Sequence, residues 1–165
     1  MKIAFIGGGV MGEAMLAAVL GKGLSTPQAV SVSDVDEARL KHLKQKYGVA
    51  VTGSNRQAAE TGDVVVLAIK PQNLAEVMTE LSSHLKPAQL LLSIIAGARI
   101  DILRLGLKHS CIVRVMPNTP ARIGEGMSVW TATAEVTEQQ RGWARAILGA
   151  MGKEIYVDAE RYIDM

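Results

Sequence analysis

The chain's 165 residues suffice for one domain with a substantial core, and 18 Lys and Arg against 16 Asp and Glu leave a net charge of +2 that favours no strongly charged partner. Apolar residues make up 48% and aromatic residues only 4%, the balance of an aliphatic α/β core, and no basic cluster interleaved with aromatics speaks for nucleic acid. The single cysteine, Cys111, excludes an internal disulfide and fits a reducing cytoplasm.

The apolar start is about five residues long, shorter than a signal h-region. No other apolar run approaches the ~18–20 residues of a membrane span. The expectation is therefore a soluble, cytoplasmic chain without a membrane segment.

In chain order, Lys2–Ile6 reads as a fully buried strand that ends in glycines. Met11–Leu20 has helical character, closed by Gly21 and Gly23, and Ala29–Ser33 is a second strand. Asp36–Tyr47 is an amphipathic helix with Leu40 and Leu43 inward, an acidic first turn, basic later turns and Gly48 as its stop. Val49–Val51 is a short strand, after which Ser54 or Asn55 can cap a brief helix.

Asp63–Ile69 (DVVVLAI) is the clearest buried strand, of the near-continuous kind that parallel sheets use. A helix over Leu74–Leu85, a strand over Leu90–Ile95, a short helix over Ile100–Leu105 and strands over Ile112–Met116 and Met127–Thr131 follow. Thr137-Glu138-Gln139-Gln140 has the form of a capping box for a helix reaching about Met151, and Lys153–Val157 ends the sheet. This alternation predicts an α/β, Rossmann-type, doubly wound and mostly parallel sheet between two helix layers. Asp158–Met165 has nothing evident to pack against.

Gly7, Gly9 and Gly12 satisfy G-x-G-x-x-G between a strand and a helix, the context that gives the pattern its value. Gly7 permits the tight turn, Gly9 a close backbone approach to a pyrophosphate, and Gly12 close packing of helix on strand. Free N–H groups and the positive dipole end at the helix start favour a diphosphate. Gly8 occupies a variable position with no role beyond keeping the turn slim. Asp34 stands at the second strand end, where an acid can take the adenosine ribose 2′-OH of NAD; as a turn residue ahead of Asp36 as N-cap it is equally well explained. No Arg follows this strand directly to hold a 2′-phosphate, although Arg39 and Arg56 could swing in, so the choice between NADPH and NADH stays open.

Ligands of open α/β sheets bind outside the carboxyl ends of the strands. Those ends carry Ala68-Ile69-Lys70-Pro71, Ser93-Ile94-Ile95-Ala96-Gly97 and Met116-Pro117-Asn118-Thr119-Pro120. The last is a rigid loop with two hydrogen-bonding side chains, a type that often carries function. His42, His84 and His109 read as solvated and Cys111 as a small hydrophobe. No triad or metal cluster is evident.

Taken together, FIGGGVMGEAM, VVLAIKPQNL, LLSIIAG and RVMPNTPARIGEGM, in this order and spacing, resemble the N-terminal domain of pyrroline-5-carboxylate reductase over essentially the whole chain. The resemblance implies reduction of the C=N bond of 1-pyrroline-5-carboxylate to L-proline with hydride from NADPH or NADH. It implies that Ile6, Gly7, Gly8, Gly9, Val10, Met11 and Gly12 bind the diphosphate, and Ser33, Asp34 and Asn55 the adenosine ribose. It places Ala68, Ile69, Lys70 and Pro71 along the nicotinamide half, with Ala96 and Gly97 nearby, and has Asn118, Thr119 and Pro120 flank the nicotinamide and the substrate pocket, Asn118 and Thr119 being the substrate-side candidates.

The family pattern continues past Met165 into a Gly-Ser-rich, helical, homodimer-forming domain. Residues 1–157 are therefore expected to be the dinucleotide-binding domain and 158–165 the start of a connection, with the fragment alone inactive. A protonated imine accepts hydride without a strong protein acid, so orientation is the protein's task and no catalytic proton donor is assigned. The competing expectations are another NAD(P)-dependent dehydrogenase of the hydroxyisobutyrate or deazaflavin-linked type, and a non-catalytic dinucleotide-binding module.

Overall fold

Strand and helix alternate from the start of the chain, in a computed structural model that describes residues 1–118 and 126–164. Thr119 and Pro120, expected to flank the nicotinamide and the substrate pocket, lie outside the described residues. The first half holds β1 (Ile3–Ile6), α1 (Val10–Gly21), β2 (Val30–Ser33), α2 (Glu37–Tyr47), β3 (Ala50–Thr52), α3 (Asn55–Ala59), β4 (Val64–Leu67) and α4 (Leu74–Leu81). The second holds β5 (Leu90–Ser93), α5 (Ile100–Leu107), β6 (Ile112–Pro117), β7 (Gly126–Ala132), α6 (Glu138–Met151) and β8 (Gly152–Tyr156).

The strands form one eight-stranded sheet in the order β3-β2-β1-β4-β5-β6-β7-β8. Every neighbouring pair is parallel except β6 with β7, so the last two strands run against the rest. The strand order reverses between β1 and β4, which leaves a crevice at their carboxyl ends.

Every residue of β1, β2, β4 and β5 is buried, because side chains alternate between two covered faces. Ile3, Phe5, Val64 and Val66 pack with Met15, Leu16 and Val19 of α1, Leu43 of α2 and Ile147 and Leu148 of α6. Ala4, Ile6, Val65 and Leu67 turn the other way, onto Ala58 of α3, Leu74, Val77 and Leu81 of α4, and Leu103 and Leu107 of α5. The result is the three-layer αβα arrangement the alternation predicts. Asp36 caps α2 through the N–H groups of Ala38 and Arg39, Gly48 ends it in the left-handed region, and Thr137 and Gln140 close a capping box on α6.

Three local expectations are overturned. The helix expected to Leu85 stops at Leu81, where Ser82 turns extended and Ser83 takes a positive φ of 65°. His109 is not solvated: it is buried, with Nε2 2.7 Å from the Gln89 carbonyl oxygen, and burial pushes its pKa down while that carbonyl contact pushes it up. The segment from Asp158 does find a partner, because Arg114 sits fully buried in the middle of β6. Its Nη1 donates to Glu160 at 3.0 Å and its Nη2 to Asp164 at 2.7 Å, and Ile163 is buried beside them. A guanidinium with no solvent access needs such acceptors, and the segment closes down to supply them.

Among the described residues no helix is long and apolar enough to cross a membrane. Among them, too, no group of three or more His, Cys, Asp or Glu is placed to hold a metal ion.

Candidate functional site

The β1–α1 turn is built from glycines with different constraints. Gly7 has φ +104°, and a Cβ there would overlap the backbone carbonyl of Ala68; its N–H donates to the Ser33 carbonyl at 2.9 Å. A Cβ on Gly12 would fall 2.6 Å from the Gly7 carbonyl oxygen, so α1 crosses the turn at a distance only glycine allows. Gly8 faces inward, where a Cβ would fall 2.7 Å from Leu43 Cδ1. Gly9 is the opposite case: nothing lies within 4 Å of its Cβ position. It is the N-cap of α1 and supplies no side-chain acceptor, leaving the first-turn N–H groups and the positive dipole end open to an anion.

Asp34 performs the turn task its position allowed and also fastens the glycine turn. Its Oδ1 accepts the Asp36 N–H at 2.9 Å, shaping the turn into α2, and its Oδ2 accepts the Gly8 N–H at 2.8 Å. Arg39 reaches the same turn from α2, with Nε 2.9 Å from the Gly8 carbonyl oxygen and Nη2 2.7 Å from Glu13. Glu13 also meets Tyr47 at 2.7 Å and His42 and Lys46 at 3.3 Å. Burial raises the Glu13 carboxyl, but the hydrogen bonds from Tyr47, Arg39, His42 and Lys46 outweigh it and hold the group at about 2. This cluster ties α1, α2 and the glycine turn into one unit.

A cleft of about 460 Å³ opens beside that unit, along the carboxyl ends of β1, β2 and β4. Gly7, Gly9, Ser33, Asp34, Asn55, Ala68, Ile69 and Lys70 line it, so residues from four separate sequence segments meet there. Ser33 Oγ donates to Asn55 Oδ1 at 2.7 Å, and Asn55 Nδ2 donates to Glu80 at 2.9 Å. The open cradle over Gly9, the uncapped helix start and this polar row fit a dinucleotide by shape and donor chemistry.

The remaining expected residues lie on the same sheet edge but outside the cleft lining. Ile6 is buried at the end of β1, Gly8 and Gly12 are enclosed in the turn, Val10 is exposed, and Met11 is half-buried. Pro71 starts a short 3₁₀ turn past β4, and Ala96 and Gly97 are exposed after β5. Asn118 pairs with Met127 across the β6–β7 return, its Oδ1 accepting the Met127 N–H at 3.0 Å. Val35, Asp36, Asn73, Glu76, Val77 and Glu80 line the cleft without having been expected there, and Arg39, weighed for a ribose phosphate, lines it as well. Glu76 and Glu80 stand four apart on the helix after AIKP, a spacing that puts both on one face.

Residues 2–97 match the family model described as NADP oxidoreductase coenzyme F420-dependent. The chain belongs to this family. A pyrroline-5-carboxylate reductase of Haemophilus influenzae is 40% identical over 161 residues, covering 96% of this chain and 58% of its own length. The solved pyrroline-5-carboxylate reductase of Coxiella burnetii superposes with a TM-score of 0.93 at 34% identity, over 98% of this chain and 60% of that one. The Plasmodium falciparum pyrroline carboxylate reductase, solved with NADP bound, gives 0.83 at 25% identity, over 96% of this chain and 58% of that one. The chain thus spans only about three-fifths of the length of the reductases it matches.

Proposed function

We propose that this chain is the dinucleotide-binding part of a reductase that transfers hydride from NADPH or NADH to the C=N bond of 1-pyrroline-5-carboxylate, giving L-proline. The observation that carries this reading is the cleft in which the glycine turn, Ser33-Asp34, Asn55 and Ala68–Lys70 meet at the strand reversal. Similarity to pyrroline-5-carboxylate reductases along nearly the whole chain supports the substrate. The family's description names both NADP and coenzyme F420, and the Plasmodium falciparum reductase solved with NADP bound, which matches 96% of this chain, supports a nicotinamide donor.

On this reading the N–H groups at the start of α1 hold the diphosphate and Ser33, Asp34 and Asn55 surround the adenosine ribose. Ala68, Ile69, Lys70 and Pro71 border the nicotinamide half, with Ala96 and Gly97 on the next strand end. Asn118 stands toward the nicotinamide and the substrate side. When bound, the dihydronicotinamide supplies the hydride. The residues orient donor and acceptor, and the protonated imine nitrogen already provides the electron sink, so the gain is one of positioning.

The test has two arms. The chain is titrated with NADH and NADPH; binding of at least one below millimolar concentration is expected, and no binding of either overturns the dinucleotide reading. The protein of the gene that carries this sequence is then assayed for oxidation of NADH and NADPH dependent on 1-pyrroline-5-carboxylate. Turnover of a hydroxy acid, with none of the imine, overturns the substrate assignment.

A further inference from the structure

The cleft has an acidic wall that the glycine turn does not require. Asp34, Asp36, Glu76 and Glu80 line it against two cations, Arg39 and Lys70. Arg39 turns Nε to the Gly8 carbonyl and Nη2 to Glu13, whose carboxylate offsets much of its charge. Arg56 stands outside the lining with its Nε on the Glu80 backbone carbonyl at 2.7 Å. Asn55 lies beside Ser33 and Asp34, and its amide is a natural donor for a phosphate oxygen. One of its two N–H donors is taken, because Asn55 Nδ2 donates to Glu80 Oε2 at 2.9 Å while its Oδ1 accepts from Ser33.

We propose that Glu80, by holding Asn55 and presenting its own carboxylate to the cleft, makes this site select the dinucleotide with an unsubstituted adenosine ribose, NADH over NADPH. The inference rests on the dinucleotide reading of the cleft. A 2′-hydroxyl can donate to a carboxylate; a fully ionised 2′-phosphate has nothing to donate, carries two negative charges and would share the cleft with the Asp34 and Glu80 carboxylates. The Asn55 amide keeps only one N–H for it while the other stays on Glu80, which also sets the carboxylate beside that phosphate position. Glu80 is a specificity-determining residue that acts partly through Asn55, and it sits on α4, far in sequence from the strand end at which this choice is ordinarily made.

The purified chain is titrated with NADH, NADPH and 2′,5′-ADP, as wild type, Glu80→Gln and Glu80→Ala. The wild type is expected to bind NADH more tightly than NADPH by about tenfold, and each variant to move the ratio toward NADPH by a similar factor, with 2′,5′-ADP following NADPH. Raising the salt concentration should shrink the difference between wild type and variants, which a purely structural effect of the substitution would not do. Wild-type preference for NADPH, or an unmoved ratio in both variants, overturns the role of Glu80. Failure of every form to bind either nucleotide overturns the dinucleotide reading itself, and the inference with it.

Discussion

Asp34 accepts the backbone N–H of Gly8 at 2.8 Å across 26 residues of sequence, fastening the end of β2 to the turn after β1. Gly8 is buried, so this N–H has no water to fall back on. Asp34→Ala should therefore lower stability by about 1–2 kcal/mol, the usual range for a buried donor left unpaired. Asp34→Asn keeps an acceptor oxygen and should recover most of the loss. Urea denaturation of the three proteins decides it; equal loss in Ala and Asn would mean the charge, not the hydrogen bond, matters.

The glycines of the turn should separate folding from binding. A Cβ on Gly7 meets the Ala68 carbonyl at a φ of +104°, so Gly7→Ala should cost about 3 kcal/mol or more and yield little folded protein. Gly9→Ala meets no protein atom within 4 Å, and its effect on stability should stay within about 0.5 kcal/mol. Its methyl group points into the cradle, and nucleotide affinity should fall by about tenfold or more. Thermal melts and a titration of Gly9→Ala check both halves.

Glu13 predicts a pH dependence. Its folded carboxyl sits at about 2 against an ordinary 4.5, so the folded state binds fewer protons than the unfolded one between those values. The stabilisation is complete above about pH 4.5 and disappears as pH falls through about 2. Glu13→Gln should lose about 1–3 kcal/mol at pH 7 and show a flatter acid limb. Parallel acid limbs in wild type and variant would refute this.

Arg114 gives the fourth expectation. Removing both acceptors, with Glu160→Ala and Asp164→Ala together, strands a fully buried guanidinium and should cost about 3 kcal/mol, somewhat below a wholly buried pair because Asp164 is partly exposed. Arg114→Leu removes the charge along with its need for partners and should cost less. Unfolding midpoints compare them; a worse Arg114→Leu would show that the ion pairs themselves carry the net stability. Exposure of residues 158–164 to protease should increase in both.

Much of the molecule was legible in the chain because local rules and the fold agree. DVVVLAI is apolar on both faces and takes a place in the middle of a parallel sheet; Asp36 and Thr137 cap the helices they precede. G-x-G-x-x-G between strand and helix announced the turn, and AIKP ends at the same sheet edge, where its Ala68, Ile69 and Lys70 line the cleft. These signals are short-range, and the chain spells them out in order.

The tertiary structure alone decided the rest. That Asp34 serves the Gly8 N–H, that Glu13 gathers partners from α2, that Glu80 closes on Asn55 and that Arg114 is buried under Glu160 and Asp164 are all pairings across 20 residues or more. No periodicity encodes them. A charged side chain reads as solvated until the fold removes its water, and only then does it have to find the partner that desolvation makes obligatory.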